Sequence, residues 1–234
     1  MFVVGVDTAT DHAVVGVTAD GEVAYEVAIG PGPDGKPRHS QVLLGEIEAS
    51  VDAAGGWSRI DRIAVGIGPG SFTGLRIGIA TVRALGQGHD VPLTTVESLA
   101  ALARGISERT DNEFILPVFD ARRGEAFASL FAQDGEELWP AMVVPPEVLA
   151  QRIRELGSPP LAAGDGALRF AADLNAAGAT VAPPEDPIHR IAARHVCAVG
   201  EAAIEAPTDQ IQPLYLRPPD AKRWRERDRG VPGG

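Results

Sequence analysis

The fold is decided by residues 66–78, GIGPGSFTGLRIG, which place five glycines and a proline between two apolar segments. The preceding residues 62–68, RIAVGIG, have the continuous apolar run of a buried strand, and residues 75–86 have helical periodicity. A strand that passes through a glycine turn into a helix leaves free N–H groups where an anion can bind. Glycines also allow a neighbouring backbone to approach closely. The stretch therefore predicts a strand, turn and helix that serve either as a phosphate cradle or as a contact surface.

The turn does not match the established phosphate-binding or nucleophile motifs. The P-loop needs Gly-Lys-Ser/Thr, which does not occur in the sequence, and Ser71 or Thr73 replaces the third glycine of the dinucleotide pattern. The Gly-x-Ser-x-Gly motif also fails, because Pro69 and Thr73 flank Ser71. We predict instead that Ser71 or Thr73 caps the helix that follows.

The order of predicted elements repeats in the two halves of the chain. Residues 2–7 (FVVGVD) and 114–120 (FILPVFD) are apolar runs that each end at an aspartate. Each run is followed by two further strands joined by an Asp-Gly turn, at 20–21 and at 134–135. A helix, a strand and a helix come next in both halves, so each half has the order β-β-β-α-β-α. We predict an α/β protein of two similar lobes with a cleft between them.

The sequence marks the ends of the helices less clearly than it marks their apolar faces. Thr94 and Glu97 have the spacing of a capping box ahead of the apolar residues 98–103. Apolar periodicity predicts the other helices over 38–54, 146–156, 166–174 and about 187–205.

The composition is typical of a soluble globular protein, with 234 residues, 44% of them hydrophobic and 23% charged. Its one cysteine, Cys197, excludes an intramolecular disulfide framework. No apolar run approaches the roughly 20 residues that span a bilayer. The first residues resemble a strand more than a signal peptide. We therefore expect a cytoplasmic protein that makes no membrane contact.

The net charge of −11 opposes tight binding of nucleic acid by this chain alone. The tail at 217–234 is an exception, since it holds six basic and three acidic residues between Arg217 and Arg229. Trp224 could stack on a base there. We favour a flexible, solvated terminus over a nucleic-acid contact.

Two aspartates are the best candidates for chemistry. Asp7 and Asp120 end the first strands of matching units, where carboxylates could hold hydrated Mg²⁺ beside a nucleotide. Alternatively, both accept backbone N–H bonds in tight turns, with Arg122 and Arg123 pairing with Asp120. We favour that alternative for Asp120. The five histidines have no spacing that suggests a metal site.

The helix after the glycine turn is apolar nearly all round, which predicts burial on more than one side. Gly74 and Gly78 would leave a shallow groove along it. With the helix at 38–54, it could cover the sheet on one side and offer the other side to a partner. The alternative is that both helices are covered within the monomer.

In this order, several segments resemble the TsaB (YeaZ) family, a partner subunit of the bacterial machinery that makes threonylcarbamoyladenosine in tRNA. The matching segments span most of the chain and are VGVDTAT, RHSQVLLGEIE, IAVGIGPGSFTGLRIGIATVRALG, TVESLAALA, VFDARRGEAFASLF, AGDGA and PLYLRP. The resemblance implies a two-lobed actin-like ATPase (ASKHA, ribonuclease-H-like) fold. We therefore expect a first lobe at 1–107, a second at 108–216 and a basic tail at 217–234.

The resemblance also implies a function through partners. The catalytic relative, TsaD, transfers threonylcarbamoyl to N6 of the adenosine 3′ of the tRNA anticodon and holds a metal through paired histidines. Only His39 stands in the corresponding region here, so the resemblance implies a non-catalytic scaffold without catalytic or metal-binding residues. Its implied partners are a TsaD-type subunit, a TsaE-type ATPase and a second copy of the chain, with tRNA contact indirect or weak.

The family's residues carry over onto two sets of positions. Its contact helices correspond to Leu43, Leu44, Ile47, Leu75, Ile79 and Val82. Its degenerate nucleotide cleft corresponds to Asp7, Thr8, Gly68, Gly70 and Ser71. The resemblance implies that no cofactor is required and that any ATP or ADP would bind at a degenerate or shared site. The competing hypothesis is an actin-like ATPase or small-molecule kinase that uses Asp7 and the 68–74 glycine loop.

Overall fold

A computed structural model describes residues 1–217, which contain two five-stranded mixed sheets. The first half of the chain forms β1 (Phe2–Asp7), β2 (Ala13–Ala19), β3 (Glu22–Ile29), α1 (His39–Ala54), β4 (Arg62–Gly68), α2 (Phe72–His89), β5 (Leu93–Glu97) and α3 (Ser98–Ser107). The second half forms β6 (Phe114–Asp120), β7 (Ala126–Ala132), β8 (Glu137–Val144), α4 (Pro146–Arg154), β9 (Leu161–Ala163), α5 (Asp165–Arg169), α6 (Ala171–Ala176), β10 (Thr180–Val181) and α7 (Ala193–Ala202).

The two sheets confirm the predicted duplication. Their strand orders are β3-β2-β1-β4-β5 and β10-β9-β6-β7-β8, so the first strand of each repeat lies at the centre. In both sheets the first three strands form an antiparallel meander, and the remaining two pair in parallel. Asp20 and Gly21 both have positive φ, as the tight hairpin between β2 and β3 requires.

Helices cover both faces of the first sheet. Val4 and Val6 of β1 point into a cluster with α1 and α2, while Val3 points to the opposite cluster with α3 and α7. Gly5 allows α7 to lie close to the sheet, because a β-carbon there would stand 2.7 Å from Sγ of Cys197. The layer of α3 and α7 also packs against side chains of the second sheet, whose outer face is covered by α4, α5 and α6.

The segment after β10 returns to the first lobe. The helix predicted over 187–205 is interrupted: residues 187–189 form a 3-10 turn, Arg190 and Ala192 are extended, and only then does α7 begin. The buried His189 fixes this break, since its ring bonds to the backbone of Gly164 and Pro183. Thus α7, which was expected within the second lobe, packs on β1, β2 and β4.

Two helix boundaries differ from the predictions. The Thr94–Glu97 capping box is wrong, because parallel pairing with β4 keeps Thr94 extended within β5 and α3 begins only at Ser98. The helix predicted over 166–174 is divided into α5 and α6 at Phe170, whose φ of −106° and ψ of 22° depart from the helical values. The predicted basic tail lies outside the described residues, apart from Arg217.

Candidate functional site

The glycine turn is closed by Ser71, which confirms its predicted role as a helix cap. Its hydroxyl oxygen accepts a bond from the Gly74 N–H at 3.2 Å, at the first turn of α2. Its own N–H donates to the carbonyl oxygen of Ala9 at 2.7 Å, which joins the turn to the segment after β1. The N–H groups of Ser71 and Gly74 are therefore used within the chain.

The glycines of this region accommodate the chain's own backbone. A β-carbon at Gly70 would lie 2.3 Å from the Ala9 carbonyl oxygen, and one at Gly74 would lie 2.2 Å from that of Thr8. At Gly78 it would lie 2.3 Å from the Thr8 hydroxyl oxygen, and that hydroxyl donates to the Gly74 carbonyl at 2.8 Å. The hypothesis that Gly74 and Gly78 form a seat for a partner is wrong, because Thr8 fills the groove.

Asp7 is buried, with 1% of its surface exposed, and it bonds to neighbouring segments of the chain. Oδ1 accepts the Ala9 N–H at 2.7 Å, and Oδ2 accepts the hydroxyl of Ser98 at 2.6 Å. Ser98 in turn accepts the Gly68 N–H at 3.2 Å. Burial raises the pKa of the Asp7 carboxyl to about 6, although the bonds from Ser98 and Ala9 act in the opposite direction. A cation could reach this carboxylate only if the buried contacts were broken.

A cavity of about 510 Å³ lies between the lobes. Gly70 and Ser71 of the glycine turn contribute to its wall, as do the hairpin after β6 and residues 214–217. Three other residues expected in a nucleotide cleft do not line it, because Asp7, Thr8 and Gly68 are buried beneath the turn. The cleft of the two-lobed fold is present, but only Gly70 and Ser71 of the five residues expected at a nucleotide site face it.

Asp120 holds a tight hairpin at the cleft wall. Its Oδ1 accepts the N–H of Arg122 at 2.8 Å, and its Oδ2 accepts bonds from the guanidinium groups of Arg122 at 3.1 Å and Arg169 at 2.7 Å. Arg122 and Arg123 both have φ near +60°, which is uncommon for residues other than glycine. The structure thus confirms the turn interpretation of Asp120, and its carboxylate is already paired.

The cleft wall also contains the C-terminal part of the described chain. The Leu214 N–H donates to the Ile67 carbonyl at 2.8 Å, which attaches this segment to β4 of the first lobe. Arg217 reaches the hairpin of the second lobe, where it pairs with Glu125 and donates to the Ala121 carbonyl. The segment therefore bridges the two lobes.

The six residues expected at the partner interface are not equally accessible. Leu44 has 51% of its surface exposed, whereas the other five are at most 4% exposed because they pack in the core beneath α1 and α2. The buried residues are Leu43, Ile47, Leu75, Ile79 and Val82. Their assignment as side chains that touch a partner is therefore corrected. We define the α1/α2 face as five of the exposed residues of the helix pair, which are Leu44, Gly45, Glu48, Ala80 and Ala84.

His39 makes a contact within the chain. His39 lies at the start of α1, where its Nε2 bonds to the Thr10 carbonyl oxygen at 3.1 Å and burial lowers the pKa of its ring. Within residues 1–217, no group of three or more His, Cys, Asp or Glu side chains has an arrangement that could hold a metal ion.

The chain is similar to known proteins along most of its length. Residues 34–208 match the family model described as "TsaD: tRNA N6-adenosine threonylcarbamoyltransferase". The tRNA threonylcarbamoyladenosine biosynthesis protein TsaB of Escherichia coli K12 is 29% identical over 171 residues, which are 71% of this chain and 72% of that protein.

Two solved structures share the fold. A Pseudomonas aeruginosa protein described as similar to peptidase YeaZ superimposes with a TM-score of 0.73 and 26% identity, over 92% of this chain and 99% of that one. The ROK hexokinase of Thermus thermophilus superimposes with a TM-score of 0.52 and 13% identity, over 86% of this chain and 98% of that one. The architecture is therefore the two-lobed actin-like ATPase fold. Among residues 1–217, no helix has the length and apolarity needed to cross a membrane.

Proposed function

The chain belongs to the TsaB (YeaZ) family, and we propose that it is a non-catalytic subunit in the biosynthesis of threonylcarbamoyladenosine in tRNA. In this proposal it binds a TsaD-type catalytic subunit, and that subunit transfers threonylcarbamoyl to N6 of the adenosine 3′ of the anticodon. The chain supports the reaction as a scaffold and activator, and it requires no cofactor of its own.

The α1/α2 face carries this proposal. Leu44 is half exposed on α1 and supplies the largest apolar side chain of this face. Gly45 lies beside it, and Ala80 and Ala84 line the exposed side of α2, so that a partner's backbone could approach closely. The buried side chains beneath hold the two helices against the sheet, which gives the face a rigid support.

An ATPase or kinase role is less well supported. It would use Asp7 for a cation, but Asp7 is covered and bonded to Ser98 and Ala9. The second candidate carboxylate, Asp120, is paired with Arg122 and Arg169. A cation bound by either carboxylate would therefore have to displace bonds within the chain. We propose that any ATP or ADP binds only at a site shared with another subunit.

The same face could also bring two copies of the chain together. We propose that the isolated chain forms a homodimer through the α1/α2 face, and that the catalytic subunit replaces one copy. A TsaE-type ATPase would then join the complex of the two subunits. In this arrangement the chain touches tRNA weakly or not at all, in keeping with its net charge of −11.

The experiment is a calorimetric titration of the TsaD-type subunit of the same genome with wild type, Leu44→Glu and Leu138→Glu. Leu138 is a matched control because it is also exposed, at 39%, but lies on β8 of the second lobe. We expect Leu44→Glu to weaken binding about tenfold or more, since it places a charge in the interface. Leu138→Glu should bind like wild type. Absence of wild-type binding, or equal binding of Leu44→Glu, would contradict the proposal.

A further inference from the structure

An arginine stacks on one exposed aromatic ring and bonds to a second at the cleft end of α2. The guanidinium carbon of Arg76 stands 3.8 Å from the ring centroid of Phe72, and its Nε donates to the hydroxyl oxygen of Tyr215 at 2.9 Å. The two rings are 5.2 Å apart. All three side chains are exposed to solvent. We call Phe72, Arg76 and Tyr215 the anchor cluster.

The guanidinium of Arg76 is oriented but not neutralised. Within residues 1–217 its only polar partner is the Tyr215 hydroxyl, and no carboxylate forms an ion pair with it. The cleft arginines differ in this respect, since Arg122 pairs with Asp120 and Arg217 with Glu125. The two terminal nitrogens of Arg76 therefore remain available in a plane that Phe72 and Tyr215 already fix.

An arginine in this state fits a carboxylate. The planar guanidinium can donate two parallel bonds to the two oxygens of one carboxylate. Because stacking already restricts the side chain, binding would cost less conformational entropy than it would for a mobile arginine. Exposed aromatic rings beside an arginine are also the residue types that dominate binding energy in protein interfaces.

The anchor cluster is continuous with the α1/α2 face. Phe72, Arg76, Ala80 and Ala84 follow one another at intervals of four residues along α2, and all four are exposed. Successive residues at this spacing are neighbours on the helix surface, so the four form a continuous row that winds gradually round α2. A partner seated on Ala80 and Ala84 would therefore meet Arg76 and Phe72 at the cleft end of the same helix.

We propose that the anchor cluster binds a carboxylate side chain of the protein partner, with Arg76 as the ion-pair donor and the rings of Phe72 and Tyr215 as its apolar surround. This inference rests on the proposed function, because the partner is the catalytic subunit that occupies the α1/α2 face. A protein partner is favoured over RNA, since the chain's net charge of −11 repels phosphate groups.

The test is a calorimetric titration of the TsaD-type subunit at low and high salt with four forms of the chain. They are wild type, Arg76→Gln, Tyr215→Phe and the control Arg152→Gln. Arg152 is a matched control because it lies over the ring of Trp139, at 5.6 Å, on the second lobe. Circular dichroism checks that each variant is folded.

We expect Arg76→Gln to weaken binding about tenfold or more and to reduce its salt dependence, because an ion pair is lost. Tyr215→Phe removes only the bond that orients Arg76, so we expect a loss of about two- to fivefold. Arg152→Gln should bind like wild type. If wild type binds and Arg76→Gln binds equally well, the proposed role of the anchor cluster is wrong and the proposed function stands. If wild type does not bind, the proposed function fails and the anchor falls with it.

A parallel titration with tRNA separates the two classes of partner. If Arg76→Gln weakens the binding of tRNA and leaves binding of the protein subunit unchanged, the cluster is an RNA contact and the proposal is overturned. If tRNA binding is absent or unaffected by Arg76→Gln, a loss of protein binding in that variant supports the proposal.

Discussion

The hydroxyl of Ser98 donates to Oδ2 of Asp7 at 2.6 Å, and this bond joins the first turn of α3 to the end of β1. The two residues are 91 positions apart in sequence. Their contact places the carboxylate under the glycine turn, because Ser98 also accepts the Gly68 N–H. Asp7 is thus part of the framework that shapes the turn.

The buried carboxyl group of Asp7 makes stability depend on pH. Its pKa is about 6 in the folded chain against an ordinary value of 3.8, so between these values the folded state binds more protons than the unfolded state. The free energy of unfolding should therefore fall as the pH rises from about 4 to about 6, by about 3 kcal/mol from this group. Asp7→Asn should remove this contribution to the pH dependence of the free energy of unfolding.

Urea unfolding of wild type and Asp7→Asn at pH 4, 5 and 7 measures this effect. The variant should gain stability relative to wild type as the pH rises. Parallel pH profiles of the two proteins would show that the Asp7 carboxyl does not have a raised pKa.

Close packing of Thr8 on α2 predicts opposite effects of alanine at two helical glycines. At Gly78 a β-carbon would overlap the Thr8 hydroxyl, so Gly78→Ala should lower the free energy of unfolding by about 1–3 kcal/mol. At Gly45, on the exposed side of α1, a β-carbon would meet no atom within 4 Å. Gly45→Ala should therefore raise stability by about 0.5–1 kcal/mol. Equal effects of the two changes in thermal or urea unfolding would refute the packing account.

The bonds of Asp120 predict a graded loss in its variants. Asp120→Asn retains an oxygen that can accept the Arg122 N–H but loses the charge that attracts Arg122 and Arg169. We expect a loss of about 1–2 kcal/mol in the free energy of unfolding, smaller at 1 M salt because ions screen the pairs. Asp120→Ala should lose more, since the hairpin bond is removed as well. Urea unfolding at two salt concentrations checks the order, and a more stable Ala variant would contradict it.

The elements of the fold were predictable because their signals are local. The apolar run of β1, the Asp-Gly turn at 20–21 and the apolar run before Gly68 each depend on neighbouring residues. The repeat of this order then indicated two lobes. The break before α7 was not predictable in this way, since it depends on buried bonds between His189 and Gly164, which are distant in sequence.

The candidate site was less predictable than the fold. Periodicity showed that α1 and α2 carry wide apolar faces, but it could not show which side the sheet covers. The family resemblance implied Leu43, Leu44 and Leu75 at an interface, whereas the structure buries Leu43 and Leu75 and leaves Leu44 exposed. Ser98 gave no motif that would identify it as the partner of Asp7. The anchor cluster depends on the contact of Tyr215 with Arg76 of α2, and no local sequence pattern indicates a contact between residues so far apart in sequence.

The most direct test of the proposed function is the formation of threonylcarbamoyladenosine in tRNA by the TsaD-type subunit, with threonylcarbamoyl-adenylate, ATP and the TsaE-type ATPase present. Product formation is followed with wild type, Leu44→Glu, Leu138→Glu or no chain added. We predict that product depends on the chain, falls about tenfold or more with Leu44→Glu at limiting chain, and is unchanged with Leu138→Glu. Equal product without the chain, or with Leu44→Glu in its place, would contradict the claim that this protein acts by docking through the α1/α2 face.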